Sequence, residues 1–384
     1  MVTGLTVSRR TFLLQSGFVM GSVSSTGLTS LFATGLRRSP HRGEGTPEIH
    51  WSDGSSLTIE GRGFLDTDTP YDRLPTRARE VVRASVWSLS RQSAGISVRF
   101  RTDADQIHVR YRLTSDRLAL AHMPATGVSG VDLYAKQRDG SWHWAAGVKP
   151  NAQEIESVIA EGIRAESGEY RLYLPLYNGV ESLSIGVPKG HTVDAAAPLP
   201  HKPIVYYGTS IAQGACASRP GMAFPSIIGR RLTRPVINLG FSGNGRLDLE
   251  LASYLGEIDA ALYVIDCLPN LDQKLVSERT EPFVRKLRTA RPKVPILLVE
   301  DRSFANVDFF PHRRQHHDGN RKALRTSFEQ LQREGVEGLF YLPGESLLGT
   351  DGEGSTDGSH PNDLGMMRYA DALTPVLSRL LNQR

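Results

Sequence analysis

From about residue 52 to residue 187, apolar and polar side chains alternate with a period of two. Val98 and Phe100 alternate with Arg99 and Arg101; Ile107, Val109, Tyr111 and Leu113 alternate with His108, Arg110 and Arg112; Leu183, Ile185 and Val187 alternate with Ser184 and Gly186. Successive strand residues face opposite sides, so the pattern predicts antiparallel strands with one buried face. The runs are short and broken by Gly, Asp and Ser. That predicts an antiparallel β-sandwich of jelly-roll type over residues 51–190, interrupted by a helix near 76–84. After a Pro- and Ala-rich linker at 188–202 the period changes. Short apolar strands at 203–207, 235–239, 261–265, 295–299 and 338–341 are each followed by a helical stretch, at 223–232, 248–255, 276–290, 320–333 and 361–381. Regular strand–helix alternation predicts a parallel sheet with helices on both faces, a three-layer α/β/α domain over residues 200–384. Such sheets bind ligands beyond the carboxyl ends of their strands.

Composition changes this picture little. The chain has 384 residues, of which 39% are hydrophobic and 22% charged, as in a globular protein large enough for two domains. The net charge of +4 is not a nucleic-acid footprint. Residues 1–38 carry Arg9, Arg10, Arg37 and Arg38 and no acid, so the rest of the chain is neutral overall. Ser8-Arg9-Arg10-Thr11-Phe12-Leu13 resembles a twin-arginine export signal, and the apolar run behind it is too short and polar to span a membrane. Residues 1–38 are therefore expected to be a leader, residues 39–50 a linker, and the mature chain periplasmic or extracellular without stable membrane insertion. Cys216 and Cys267 are too few for a disulfide scaffold or zinc site; they read equally as a disulfide or as two buried thiols.

Four motifs fall in order at the predicted strand ends: Gly208-Thr209-Ser210-Ile211, Ser242-Gly243-Asn244-Gly245, Pro269-Asn270, and Asp357-Gly358-Ser359-His360. Together they hold what acyl transfer requires. A serine hydroxyl needs a base within hydrogen-bond reach, and the base needs an orienting carboxylate. Ser210, His360 and Asp357 supply these roles. The oxyanion of a tetrahedral intermediate needs donors, and the Ser210 N–H, the Gly243 N–H and the Asn270 amide supply three. Taken singly, each has a plainer reading: helix N-cap for Ser210, loop glycine for Gly243, turn residues for Asn270 and Asp357. Arg246 lies close enough to Gly243 either to line a substrate pocket or to start the next helix.

On these blocks residues 203–384 resemble the SGNH (GDSL-type) hydrolase family, with Ser210, Gly243, Asn270 and His360 at its four block positions and Asp357 as the acid of its Asp-x-x-His block. The first block reads Gly-Thr-Ser-Ile rather than Gly-Asp-Ser-Leu, and the third Leu-Pro-Asn rather than Gly-x-Asn-Asp. Gly130-Val131-Asp132-Leu133-Tyr134 resembles the Gly-x-Asp-Leu-Tyr motif of the β-domain that precedes a subset of bacterial SGNH esterases. The stretch from Asn238 to Asp248 is also similar to that subset. The resemblance implies a flavodoxin-like hydrolase domain behind a β-domain, and ester hydrolysis without metal or organic cofactor. It also implies a small-molecule or polysaccharide ester as substrate, with acetyl groups on carbohydrate favoured.

Other features read both ways. His312 and His316 have the i, i+4 spacing of a metal pair, but no carboxylate motif accompanies them or His317, and a loop at the rim of the site is the simpler reading. Trp142 and Trp144 share a strand face, as core packing of the sandwich or as a sugar-stacking platform. Asp132 and Tyr134 are either structural or reach the cleft. The competing functions are a lipase, thioesterase or acyltransferase on the same machinery, and a non-catalytic carbohydrate-binding protein.

Overall fold

The computed structural model describes residues 47–165 and 167–382; the expected leader, 1–38, lies outside the described residues. Among the described residues ten strands build the N-terminal region: β1 Ile49–Asp53, β2 Thr58–Glu60, β3 Ser97–Arg101, β4 Gln106–Leu113, β5 Asp132–Lys136, β6 Trp142–Gly147, β7 Glu154–Glu161, β8 Glu169–Tyr173, β9 Val180–Pro188 and β10 Asp194–Ala195. All pair antiparallel, in one sheet of order β1-β9-β4-β7 and another of order β10-β3-β8-β5-β6 with β2 beside β3. Val98, Phe100, Ile107, Val109, Tyr111, Leu133, Leu172 and Ile185 meet between the sheets as one apolar core, on the alternation seen in the sequence.

The alternation also predicts a free polar face on the second sheet, and here the structure differs. Arg99 and Arg171 on that face are each only 3% exposed. Glu60 accepts from Arg99 at 2.6 Å and from Arg171 at 2.7 Å, and Glu169 accepts from Lys136 at 3.0 Å. A charge is buried tolerably only when paired, and these are paired. The cover is the helix Phe224–Arg231 of the C-terminal region: Tyr173 donates to the Ser226 carbonyl at 3.4 Å, and the Arg230 guanidinium sits 4.1 Å over the Tyr134 ring. Trp142 and Trp144 belong to this outer face, not to the sandwich core. Trp142 is stacked by Arg171 at 4.8 Å, and Trp144 is 52% exposed.

Among the described residues eight α-helices accompany the strands: α1 Ala84–Ser90, α2 Ala125–Val128, α3 Ser210–Gln213, α4 Phe224–Arg231, α5 Leu249–Glu257, α6 Gln273–Ala290, α7 Pro311–Arg333 and α8 Asp363–Asn382. The C-terminal sheet comprises β11 Ile204–Gly208, β12 Val236–Gly240, β13 Leu262–Asp266, β14 Ile296–Val299 and β15 Leu339–Leu342, all parallel, in the order β12-β11-β13-β14-β15. This is the flavodoxin-like order. β11 to β14 are buried along their length because helices cover both faces: α5, α6 and α7 on one, α3, α4 and α8 on the other. Among the described residues no helix is long and apolar enough to cross a membrane.

Two expected helices are placed differently. Residues 76–84 form a short turn, Thr76–Ala78, and the helix follows as α1. Ala78, Val82 and Val86 pack into the core of the α/β sheet, so tertiary contact overrides local propensity there. α7 starts at Pro311, where a missing N–H costs nothing, and not near 320. Its first half buries His317, Asn320 and Arg321, polar residues that hide the apolar period.

Candidate active site

The chain leaves β11 at the sheet's switch point, between β12 and β13, where crossovers diverge and a crevice opens. The three loops that follow β11, β12 and β13 are stitched together there. Gly208 O accepts from Phe241 N at 3.0 Å. A Cβ on Gly245 would stand 2.1 Å from that same carbonyl, so only glycine lets the second loop approach the first. Gly245 N in turn donates to Asn270 Oδ1 at 3.2 Å, tying in the third loop.

Ser210 is buried at the first position of α3. Thr209 caps the helix, its hydroxyl accepting from Ile211 N at 3.3 Å, and so fills the place of the family's missing acid. Ser210 Oγ lies 2.9 Å from His360 Nε2, and His360 Nδ1 lies 2.7 Å from Asp357 Oδ2. Asp357 Oδ1 also accepts from Ser359 N at 2.9 Å and His360 N at 2.8 Å, which folds the loop around the carboxylate. Partial burial pushes the Asp357 carboxyl up, but the two backbone donors and the imidazole outweigh it and hold the group down at about 2. Behind the loop stands Arg302, fully buried, donating to the Ser359 carbonyl at 3.2 Å and to the Ser359 hydroxyl.

The three expected oxyanion donors lie on the loops that follow β11, β12 and β13. The Ser210 N–H opens a helix, where no intrahelical acceptor exists. Gly243 has φ +68° and is exposed, and a Cβ there would meet nothing within 4 Å, so the loop is open at this point. Asn270 closes a short turn begun by Leu268 and Pro269; Gly245 N on its Oδ1 leaves the amide NH₂ as the free end. Gln213 braces the Gly243 loop, accepting from Ser242 N at 3.0 Å and donating to the Leu176 carbonyl at 3.1 Å. Arg246 is exposed, and its Nε donates to Gly243 O at 2.9 Å. Its side chain is a strut of this loop.

The β-region reaches the site through residues that carry no sequence signal. Arg73, fully buried, donates from Nε to Gln92 O at 2.7 Å and from Nη1 to Gly240 O at 2.5 Å, next to the Gly243 loop; burial brings its guanidinium down to about 9. Tyr177 donates to the Ser210 carbonyl at 3.4 Å. The His122 ring sits 5.8 Å from that of His360. Asp132 and Tyr134 prove structural. Asp132 accepts from Arg219 Nη1 at 2.8 Å, Gly221 N at 2.9 Å and Trp144 Nε1 at 2.5 Å, and Tyr134 accepts from the same Arg219 nitrogen at 2.5 Å. Together they clamp the loop between α3 and α4.

Cys216 and Cys267 are both buried and free. Cys216 takes a positive φ of 67° just beyond α3, and burial, with Asp357 nearby, pushes its thiol up to about 11. Cys216, Asp357 and His360 each bring one ligand-type atom within 4.8 Å of the others, the one such trio among the described residues. The histidine cluster lies in α7. His317 has both ring nitrogens engaged, with Asp301 Oδ2 at 2.8 Å and Phe304 N at 3.2 Å; His316 faces Asn320 at 3.3 Å, and His312 sits edge-on to Phe310.

Fold and site define a class first: a hydrolase of carboxylic esters on a three-layer α/β/α sheet, with an antiparallel β-region in front. The chain belongs to the GDSL-like lipase/acylhydrolase family. That family's model matches residues 201–378, and the model of the GxDLY N-terminal region of SGNH-hydrolase-type esterases matches residues 49–193. A crystal structure from Bacteroides ovatus, provisionally named a GDSL-like lipase, is 34% identical, covering 87% of this chain and 98% of that one with a TM-score of 0.83. The salicylyl-acyltransferase SsfX3 of a tetracycline biosynthetic pathway is 18% identical over 87% of this chain and 98% of its own, with a TM-score of 0.69. A family two carbohydrate esterase from Cellvibrio japonicus is 15% identical over 88% and 99%, with a TM-score of 0.57. The likeness to these last two is one of fold. A search of curated proteins found no match.

Proposed function

We propose that this chain removes short acyl groups, acetyl above all, from carbohydrate alcohols by a Ser210–His360–Asp357 mechanism. The observation that carries the proposal is the unbroken run from Ser210 Oγ to His360 Nε2 at 2.9 Å and from His360 Nδ1 to Asp357 Oδ2 at 2.7 Å, at the mouth of the sheet's crevice. Ser210 Oγ attacks the ester carbonyl carbon while His360 Nε2 takes its proton. Asp357, bound at Nδ1, holds the tautomer that leaves Nε2 free and stabilises the imidazolium. The Ser210 N–H, Gly243 N–H and Asn270 amide receive the oxyanion. His360 passes the proton to the departing alcohol oxygen, and water then cleaves the acyl-enzyme by the same steps. No step calls for a metal.

The carbohydrate substrate draws support from the likeness in fold to a carbohydrate esterase. A twin-arginine leader over residues 1–38 would carry the chain to a compartment where acetylated polysaccharide is met. The test is hydrolysis of 4-nitrophenyl acetate, butyrate and octanoate by wild type and Ser210→Ala. Acetate preference that vanishes in the variant is expected. Turnover retained by a folded Ser210→Ala protein would remove the mechanism, and preference for octanoate would move the substrate to lipids.

A further inference from the structure

We infer that His122, a residue of the β-region, forms the subsite for the leaving alcohol and selects alcohols that carry a neighbouring hydroxyl. The inference rests on the ester-hydrolase reading above. Three observations carry it. First, the position is built: Leu120 and Met123 exchange both backbone hydrogen bonds at 3.1 Å, which closes a two-residue turn with Ala121 and His122 at its tip. Second, the turn is anchored in the catalytic half. Met123 is buried in the same apolar core that holds Ile211, Ala212 and Ala215 of the α3 region, and just beyond it Thr126 donates to the Ser218 carbonyl at 2.6 Å. Third, the His122 ring is exposed and lies 5.8 Å from the His360 ring at an interplanar angle of 31°.

The chemistry of the reaction says what such a place is for. The oxyanion must point to Ser210 N, Gly243 and Asn270. The oxygen that leaves must instead lie within reach of His360 Nε2, because that nitrogen protonates it. With ring centroids 5.8 Å apart, His122 is within one small substrate's breadth of that nitrogen, and on that ground it is assigned to the alcohol. An imidazole there offers a ring nitrogen to a vicinal hydroxyl, a hydrogen bond that a sugar or polyol can make and an aryl alcohol cannot. The turn fixes the His122 backbone in advance, so only its side chain has to be ordered when substrate binds.

The test compares kcat/KM for a partly acetylated polyol, monoacetylglycerol, with that for 4-nitrophenyl acetate. It uses wild type, His122→Ala, His122→Phe and His122→Gln. One neutral hydrogen bond corresponds to about three- to ten-fold. His122→Ala and His122→Phe should each lose that factor on the polyol ester and keep aryl ester turnover, and His122→Gln, which retains a donor, should recover part of it. Equal losses on both esters would mean that His122 acts only by supporting His360, and would overturn the inference. So would unchanged constants on both esters. A wild type inactive on both, and no different from Ser210→Ala, would instead sink the hydrolase reading beneath it.

Discussion

Asp357→Asn isolates one atom-for-atom change at the centre of the site. The asparagine Oδ1 can still accept from Ser359 N and His360 N, so the loop keeps the bonds that shape it. The change falls at Oδ2, now an NH₂ facing His360 Nδ1, where an acceptor stood 2.7 Å away. That amide favours the tautomer with the proton on Nε2, and such an imidazole cannot take the proton of Ser210. A buried triad loses about 10⁴ in kcat from the same substitution. Here the Asp357 side chain is 40% exposed and that of His360 25%, so water can share in supporting the imidazolium. Charge attraction at contact is worth about 1 kcal/mol in bulk water and about 4 kcal/mol near a protein surface, or roughly 5- to 10³-fold in rate. With the tautomer penalty added, kcat for 4-nitrophenyl acetate should fall by about 10²–10³, with KM little changed and the urea midpoint close to wild type. A kcat within three-fold of wild type, in a protein of unchanged stability, would show that Asp357 shapes the loop but does not govern the imidazole.

Three further outcomes are expected. Asn270→Ala removes one oxyanion donor and should lower kcat by about 10²–10³ with KM nearly constant; a loss of only a few-fold, read in the same assay, would take Asn270 out of the oxyanion site. Asp132→Ala leaves Gly221 N and Trp144 Nε1 without their acceptor and Arg219 with Tyr134 alone, and should cost roughly 2–3 kcal/mol in urea unfolding, since buried donors are left unpaired; a midpoint equal to wild type would contradict the clamp. Asp266 is fully buried under the site, and burial raises it from an ordinary value near 3.8 to about 7. The native state then holds a proton that the unfolded chain gives up, so this group's contribution is fully present below about 3.8 and is lost as pH rises through about 7. Asp266→Asn mimics the protonated form and should gain stability over wild type progressively across that window; a difference that stays flat with pH would refute the assignment.

The parts of this protein that were legible in its sequence are those whose physics is local. A period of two marks strands, and a glycine or proline beside a chemistry-bearing residue at a strand end marks a site loop. Hence Ser210, Gly243, Asn270, Asp357 and His360 could be picked out, together with the parallel sheet beneath them. What covers each surface was not legible, because the cover comes from elsewhere in the chain. Arg99 and Arg171 alternate as a solvated face would, and only Glu60, more than thirty residues before the nearer of them, shows that they are to be buried. Arg73 looks like any surface arginine until the carbonyls at the end of β12 close on it. His122 stands in a stretch with no motif at all. These misreadings share one cause. The β-region docks through its polar face, so charge patterning that would announce a solvated surface here specifies an interface. The same docking brings Arg73, Tyr177 and His122 to the catalytic loops, which makes the front region part of the active site's wall. Truncation at about residue 200 would then strip α3 and the Gly243 loop of their supports, and an isolated C-terminal half is expected to lose ester turnover even though it holds every residue of the proposed triad.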